Sequence, residues 1–122
     1  MRSRLTLNLA KLAIVGCAVI VAGCSVTVPV AVIGQNGQIL RGENTASLSG
    51  GTFSVTDGHL TCSGSYNALN EAPTITMPVL CSDGRTGIVT ATRDSPTSGG
   101  GKVRLSDGTV ADFIFGEAAR RI

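Results

Sequence analysis

The sequence has few of the residue types from which catalytic and metal sites are built. It contains one histidine, His59, no tryptophan, one tyrosine and three phenylalanines. A lone histidine with no cysteine cluster cannot complete the ligand set of a typical zinc site, and no nucleophile-elbow pattern accompanies it. The scarcity of aromatic rings leaves little for a sugar-stacking platform. We therefore expect no catalytic residues, no metal and no cofactor, and the chain is predicted not to be an enzyme.

Charge is absent from a long stretch near the amino terminus. No Lys, Arg, Asp or Glu occurs from Leu12 to Leu40, whereas Arg2, Arg4 and Lys11 precede this stretch without any acid. The 99 residues after position 23 carry seven bases and eight acids, so the net positive charge of the whole sequence belongs to its start. A nucleic-acid partner is not expected, because no basic stripe remains to neutralise phosphates.

Residues 1–23 have the organisation of a secretory signal peptide. The three basic residues are followed by an apolar run, Leu12–Ala22, which is eleven residues long and too short to span a bilayer as a helix. Its end, Val21-Ala22-Gly23-Cys24, resembles the lipobox of bacterial lipoproteins. The resemblance implies cleavage before Cys24 and attachment of lipid to its sulfur, which would make the lipid bilayer a partner of the mature protein.

The residue after the lipidated cysteine influences sorting in lipoproteins of double-membraned bacteria. Here that residue is Ser25 rather than an aspartate. The resemblance therefore implies a location in the cell envelope, with the protein anchored in the outer membrane and facing the periplasm.

Two other interpretations of this region are weaker. The segment Ile14-Val15-Gly16-Cys17 also fits a lipobox, but processing there would leave about five apolar residues after Lys11, where an h-region has roughly seven to fifteen. An uncleaved helix from Leu12 to Ile33 would have to include Ser25–Pro29, which is β-branched and ends in a proline, and both features disfavour a helix. Cleavage before Cys24 is the preferred interpretation.

Processing would leave Cys62 and Cys81 as the remaining pair of cysteines. A small exported domain benefits from a disulfide, and the sequence has no Cys-x-x-Cys motif for thiol redox chemistry. We predict a structural disulfide between Cys62 and Cys81, contributing roughly 3 kcal/mol by constraining the unfolded chain.

The rest of the chain divides into three parts. Residues 24–37 are interrupted by Pro29, Gly34 and Gly37 and are predicted to form a flexible tether. When extended, this tether would reach at most about 43 Å, so the domain could stand clear of the lipid head groups. Residues 38–117 form the predicted β-domain, and residues 118–122 a short carboxy-terminal tail.

Three Asp-Gly dipeptides organise the predicted β-domain. Asp57-Gly58, Asp83-Gly84 and Asp107-Gly108 recur at intervals of 26 and 24 residues. Asp-Gly between alternating runs favours type I′ hairpin turns, since both central residues need positive φ, and this turn role is preferred to calcium ligation. With weaker strands before them, the three hairpins predict an all-β fold. Its expected architecture is a small antiparallel barrel or sandwich of about six to eight short strands.

Two-residue loops predict the register of the hairpins. In the first hairpin Val55 would face Leu60 and Phe53 would face Cys62, so that these four residues share an inner face and His59 points to solvent. In the second hairpin, residues 75–93, a proline at position 78 indicates an edge or a bulge.

The third hairpin, residues 102–115, admits two registers. A two-residue turn sets Asp112 opposite Val103 on the apolar face. A three-residue loop with Gly108 as the bulge residue sets Arg104 opposite Val110 instead. Each register leaves one charge in an awkward position, and both stay open.

The expected function is that of a non-enzymatic, membrane-anchored envelope lipoprotein. The segment Cys81–Gly87 resembles a turn that recurs in small, mostly uncharacterised β-rich bacterial lipoproteins, which implies kinship of fold and no activity. The domain would be a binding or structural module for another envelope protein or a surface polymer, and an exposed hydroxyl-rich sheet face would favour binding. The alternative is a small envelope enzyme or inhibitor, which His59 and serines lining a cleft opposite a carboxylate would favour.

Replacing Cys24 tests the anchor. Cys24→Ala should leave an unprocessed precursor and abolish labelling with palmitate, because the thiol that accepts the lipid is gone. Metabolic labelling measures this, with Cys17→Ala as the matched control that should label like the wild type. Normal labelling of Cys24→Ala would refute the assignment.

Overall fold

The computed structural model describes residues 25–122, which fold into a closed barrel of eight antiparallel strands. Each strand pairs with the next one along the chain, and the first strand pairs with the last. The strands are β1 (Val26–Gly34), β2 (Ile39–Ser47), β3 (Gly50–Thr56), β4 (Thr61–Tyr66), β5 (Thr74–Cys81), β6 (Thr86–Ser95), β7 (Ser98–Leu105) and β8 (Val110–Phe115). The predicted all-β antiparallel fold is confirmed, and the barrel is the architecture that forms.

The predicted signal peptide, the lipobox and Cys24 lie outside the described residues. No helical segment between residues 25 and 122 is long and apolar enough to cross a membrane.

The predicted tether is wrong from Val26 onward, because residues 26–34 form β1. This strand pairs with β2 along almost its whole length and with β8 from Val30 to Gly34. Its β-branched residues favour an extended backbone, and barrel closure gives them neighbours on both sides. Pro29 lies just beyond the pairing with β8, and its carbonyl accepts a hydrogen bond from the Gly116 N–H at 2.9 Å. The β-domain therefore begins at residue 26 rather than 38.

The predicted carboxy-terminal tail is also wrong, because Glu117–Arg121 is a 3-10 helix that packs on the outer face of β1. Ala119 of this helix is buried. Ala31 of β1, which lies between two core valines in the sequence and points to the outside of the barrel, is buried as well. The Arg41 guanidinium on β2 donates a hydrogen bond to the Ile122 carbonyl at 2.6 Å. The end of the chain is thus fixed to the outer wall.

Alternate residues of every strand fill the barrel interior. Phe53 of β3 and Phe113 of β8 meet edge to face inside the barrel, with ring centroids 5.2 Å apart, a favoured aromatic geometry. The buried core residues are Val30, Val32, Leu40, Phe53, Val55, Cys62, Ile75, Met77, Val79, Cys81, Val89, Ala91, Val103 and Phe113. Aliphatic side chains therefore supply most of the core, as the low aromatic content requires.

The Asp-Gly turns form, but without the predicted type I′ geometry. Among residues 25–122, positive φ occurs at glycines alone, whereas a type I′ turn needs it at both central residues. In the second and third hairpins the N–H groups of Gly84 and Gly108 each donate to a carbonyl, that of Cys81 and that of Leu105, at 3.0 Å. These are three-residue loops closed by a glycine bulge, with φ of 91° and 89°.

The register of the first hairpin differs from the prediction by two residues. Val55 pairs with Cys62, and Phe53 pairs with Gly64, because residues 57–60 form the loop. A shift of two residues leaves every side chain on its predicted face. Phe53, Val55 and Cys62 are accordingly buried, and Leu60 packs against them.

The third hairpin has the three-residue loop, with Arg104 opposite Val110. Both residues lie on the outer face, while Val103 is buried in the core. Lys102 and Asp112 also face each other outside and form an ion pair. The closed barrel leaves this wall in solvent, so neither charge has to enter the interior.

The pairing of β4 with β5 is the shortest in the barrel. It comprises three residue pairs and stops at Gly64 and Val79, next to Pro78, which lacks the N–H that a ladder needs. The predicted disulfide joins Cys62 and Cys81, which face each other at one end of this pairing. The covalent bond therefore holds the seam where hydrogen bonding is least extensive.

Removing the disulfide should destabilise the barrel. The double variant Cys62→Ala/Cys81→Ala should lose roughly 3 kcal/mol in the free energy of unfolding, because the unfolded chain is no longer constrained. Urea unfolding of the variant and the wild type measures the difference, and reduced wild type is the matched control. Equal unfolding midpoints for all three proteins would contradict a stabilising role.

Candidate functional site

Because neighbouring strands run in opposite directions, the barrel has two different ends. The turn end carries the loops that join β1 to β2, β3 to β4, β5 to β6 and β7 to β8. The terminal end carries the other three loops, the start of β1 and the end of β8. The tips of the turn end are Asn36-Gly37, Asp57-Gly58, Asp83-Gly84 and Asp107-Gly108.

The first of these tips, Asn36-Gly37, was missed by the sequence interpretation. Asn-Gly carries the same turn signal as Asp-Gly, and Gly37 has φ of 85°. Its N–H donates to the Gly34 carbonyl at 3.1 Å, as in the second and third hairpins. The signal was present but was interpreted as an interruption in a tether.

Polar contacts link the turns at this end. Arg85 donates from Nε to Asp83 at 2.8 Å and from Nη1 to Asp107 at 3.2 Å, which connects the β5–β6 and β7–β8 turns. Gln38 donates from Nε2 to Asp57 at 2.9 Å, which connects the other two. The structure thus brings the three predicted turn aspartates to one rim.

Hydrogen bonds lower the pKa of the Asp57 carboxyl from 3.8 to about 2. The largest cause is the Leu60 N–H, which donates to Oδ1 at 2.8 Å. The Gln38 side chain and the His59 N–H contribute further bonds that stabilise the ionised form. The carboxylate therefore stabilises its own turn by accepting hydrogen bonds from the N–H groups of His59 and Leu60.

The other two turn aspartates are stabilised in the same way. The pKa of Asp83 is lowered mainly by the N–H of Arg85, and that of Asp107 mainly by the side-chain hydroxyl of Thr109. Within residues 25–122, no group of three or more His, Cys, Asp or Glu side chains is arranged to hold a metal ion. The three carboxylates serve the turns that carry them.

His59 lies in the exposed β3–β4 loop at the turn end. Its N–H donates to Asp57 Oδ1 at 2.9 Å. The nearby serines, Ser63 and Ser65, belong to β4 and line a separate concavity on the outer wall, of which the histidine is not part. The structure does not bring His59 and these serines together.

Two small cavities occupy the ends of the interior. The cavity at the turn end has a volume of about 290 Å³, and the one at the terminal end about 250 Å³. Phe53 lines the first and Phe113 the second, so their edge-to-face pair lies between the two cavities. In the cavity at the terminal end, Asn44 Nδ2 donates to the Tyr66 hydroxyl at 2.7 Å. Both cavities are smaller than the sites that usually enclose small ligands.

A shallow depression on the outer wall of the barrel is here called the hydroxyl face. It is an open depression of about 1570 Å³ on the outer wall of β2 to β7. Two apolar side chains in it, Leu80 and Ile88, are 58% and 52% exposed. Its charged lining residues are Glu43 on β2 and Arg104 on β7, at opposite margins. The hydroxyl-bearing residues are Thr45, Thr52, Ser54, Ser63, Ser65, Thr76, Thr86, Thr90 and Ser106.

Glycines at inward positions allow the strands beneath this face to bend. A Cβ at Gly42 would lie 1.8 Å from the Ser54 carbonyl oxygen, and one at Gly87 would lie 2.2 Å from that of Arg104. Neither position could hold a side chain. Glycine therefore lets the backbone of the neighbouring strand come closer than any other residue would allow. Strand glycines are a general device for sheet curvature, and here they let the strands bend around the barrel interior.

Comparisons with known proteins support the fold. No protein-family model matches the sequence, and no curated protein matches it. The structure is similar to a de novo designed fluorescence-activating beta barrel, with a TM-score of 0.56 and 21% identity over 73% of this chain and 88% of that one. It is also similar to a redesigned beta barrel, with a TM-score of 0.51 and 16% identity over 75% and 88% of the two chains. Similarity at these identities shows the fold alone, that of a small β-barrel.

Acid should weaken the turn end through Asp57. Its pKa of about 2 lies below the ordinary 3.8. The stability it contributes is therefore complete above about pH 4 and is lost as the pH falls toward 2. Asp57→Asn should accordingly lose less stability than the wild type over this interval.

Thermal unfolding across a pH series measures this effect. Asp94→Asn, at the terminal end, is the matched control for removal of one carboxylate away from this turn. An Asp57→Asn profile identical to that of the wild type would show that the carboxylate does not stabilise the turn.

Proposed function

We propose that the protein is a non-enzymatic envelope lipoprotein whose barrel binds another envelope component, a protein or a surface polymer, through the hydroxyl face. Lipid on Cys24 holds it in the outer membrane, facing the periplasm. The support for the anchor is the lipobox-like segment that ends at Cys24. The observation that carries the binding role is the hydroxyl face itself.

The chemistry of the hydroxyl face suits an uncharged partner rich in hydrogen-bonding groups. Serine and threonine hydroxyls both donate and accept hydrogen bonds, and the charged residues Glu43 and Arg104 stand at the margins. Leu80 and Ile88 add exposed apolar surface, and burial of this surface by a partner would be favourable. An extended polar segment of a protein has matching chemistry, and a surface polymer would be held by hydrogen bonds rather than by aromatic stacking.

The partner binds on the face of the sheet rather than along an edge. Edge addition requires an unpaired strand, and among the described strands each one has a neighbour on both sides. The pairing of β4 with β5 stops at Gly64 and Val79, and Ser65, Thr76 and Pro78 beside it line the depression.

The geometry around His59 favours binding over the alternative of a small envelope enzyme. A hydrolytic serine needs a histidine base within hydrogen-bond reach. His59 lies at the tip of an exposed loop beside Asp57, and Ser63 and Ser65 lie on the wall of β4.

Site-specific crosslinking in intact cells tests the proposal. A photoreactive amino acid substituted for Leu80 should give a discrete adduct, because this side chain lies in the hydroxyl face. The same substitution for Asp112, which is exposed on β8 outside the face, is the matched control and should give none. Adducts of equal yield from both positions, or none from Leu80, would contradict binding at this face.

The affinity of the partner identified in this way supplies a second measurement. Leu80→Asp should weaken binding by about tenfold or more, because burial of a leucine contributes about 1.5–3 kcal/mol and 1.4 kcal/mol corresponds to tenfold. Unchanged affinity of Leu80→Asp would place the contact elsewhere.

A further inference from the structure

The loop tips at the two ends of the barrel differ in chemistry. Every tip of the turn end has an asparagine or aspartate before its glycine. At the terminal end, Leu48 in the β2–β3 loop is 73% exposed and Leu69 in the β4–β5 loop is 63% exposed, while Val26 at the start of β1 is 53% exposed. Of the five large exposed apolar residues in the described chain, these three lie at the terminal end and the other two in the hydroxyl face.

The exposed leucine of the β4–β5 loop is held in place by ordered polar contacts. The Asn67 side chain accepts a hydrogen bond from the Leu69 N–H at 3.0 Å, and the Asn67 carbonyl accepts one from the Asn70 N–H at 3.1 Å. Arg93 Nη1 donates to the Asn70 carbonyl at 2.7 Å. The loop therefore presents Leu69 outward from a fixed turn.

These apolar tips surround one opening. Val26, Ala68 and Pro96 come from three different parts of the terminal end, and all three line the cavity of about 250 Å³ that opens there. Leu69 follows Ala68 in the β4–β5 loop. Leu48 lies in the β2–β3 loop at the same end of the barrel. The terminal end thus carries apolar side chains from three loops and from the start of β1, with the acidic Glu71 and Asp94 at the same end.

The chain enters the barrel at this pole. β1 begins at Val26, so Ser25 is the single residue between Cys24 and the first strand. At roughly 3.3 Å per residue, a spacing of two residues can extend over at most about 7 Å. Lipid on Cys24 would hold the terminal end against the bilayer with almost no slack.

We infer that the terminal end docks on the lipid bilayer, with Leu48, Leu69 and Val26 entering the boundary between head groups and acyl chains. The inference rests on the proposed lipidation of Cys24. Apolar side chains gain free energy in this boundary region, and the anchor keeps them beside it. The aspartate-rich turn end then faces away from the membrane, and the hydroxyl face stands at the side of the barrel, open to a partner.

The absence of tryptophan makes a direct test possible. Leu69→Trp and Leu48→Trp each introduce one fluorophore at the terminal end, and Leu80→Trp introduces one on the wall as the matched control. The full lipidated chain is incorporated into phosphatidylethanolamine and phosphatidylglycerol vesicles containing brominated acyl chains. Emission from positions 48 and 69 should be blue-shifted relative to emission from position 80. It should also be weaker in brominated than in unbrominated vesicles, while emission from position 80 should be the same in both.

Flotation of the vesicles and the intact mass of the chain separate the two claims. Flotation with diacylglyceryl mass on Cys24, but equal quenching at positions 48, 69 and 80 or none at all, overturns docking and leaves the anchor standing. Failure to float, with no lipid on Cys24, overturns both. If Leu69→Trp does not fold, as judged by its far-ultraviolet circular dichroism, Leu48→Trp decides the outcome.

Discussion

Closure of the sheet is the constraint on which the rest of the structure depends. A barrel removes exposed strand edges when every strand has two partners, including β1 with β8. The shortest of these pairings, β4 with β5, is reinforced by the disulfide between Cys62 and Cys81. Closure also gives residues 26–34, which are interrupted by Pro29 and end at Gly34, a neighbouring strand on each side.

The same constraint explains how the few aromatic residues are used. A small closed barrel needs strongly bent strands, and inward glycines permit the bends. Aromatic rings cover three of these glycines, filling the room that the missing side chains leave: Phe53 over Gly64, Tyr66 over Gly51 and Phe115 over Gly99, where a Cβ would lie 2.6, 2.3 and 2.8 Å from the ring. Core packing therefore depends on the curvature that these inward glycines allow.

Local chemistry accounts for what sequence reasoning predicted correctly. The alternation around Asp57-Gly58 reflects the period of two along a strand, so the inner face of the first hairpin was right although its register was two residues off. Cys62 and Cys81 were the remaining pair after assignment of Cys24, and their disulfide is present. The prediction for residues 26–34 was wrong because Pro29 lies beyond the end of the pairing with β8, where its missing N–H is tolerated, and Gly34 is the last residue of β1.

The sequence by itself determined the strand periodicity, the positions of the Asp-Gly turns and the cysteine pair, because each depends on residues close together in the chain or on counting. The tertiary structure decided the pairing of β1 with β8, the outward place of Lys102 and Asp112, and the position of hydroxyls from several strands on the outer wall. It also placed Leu48 and Leu69 at the end where the chain enters. These features depend on contacts between distant residues, which exist only once the sheet has closed.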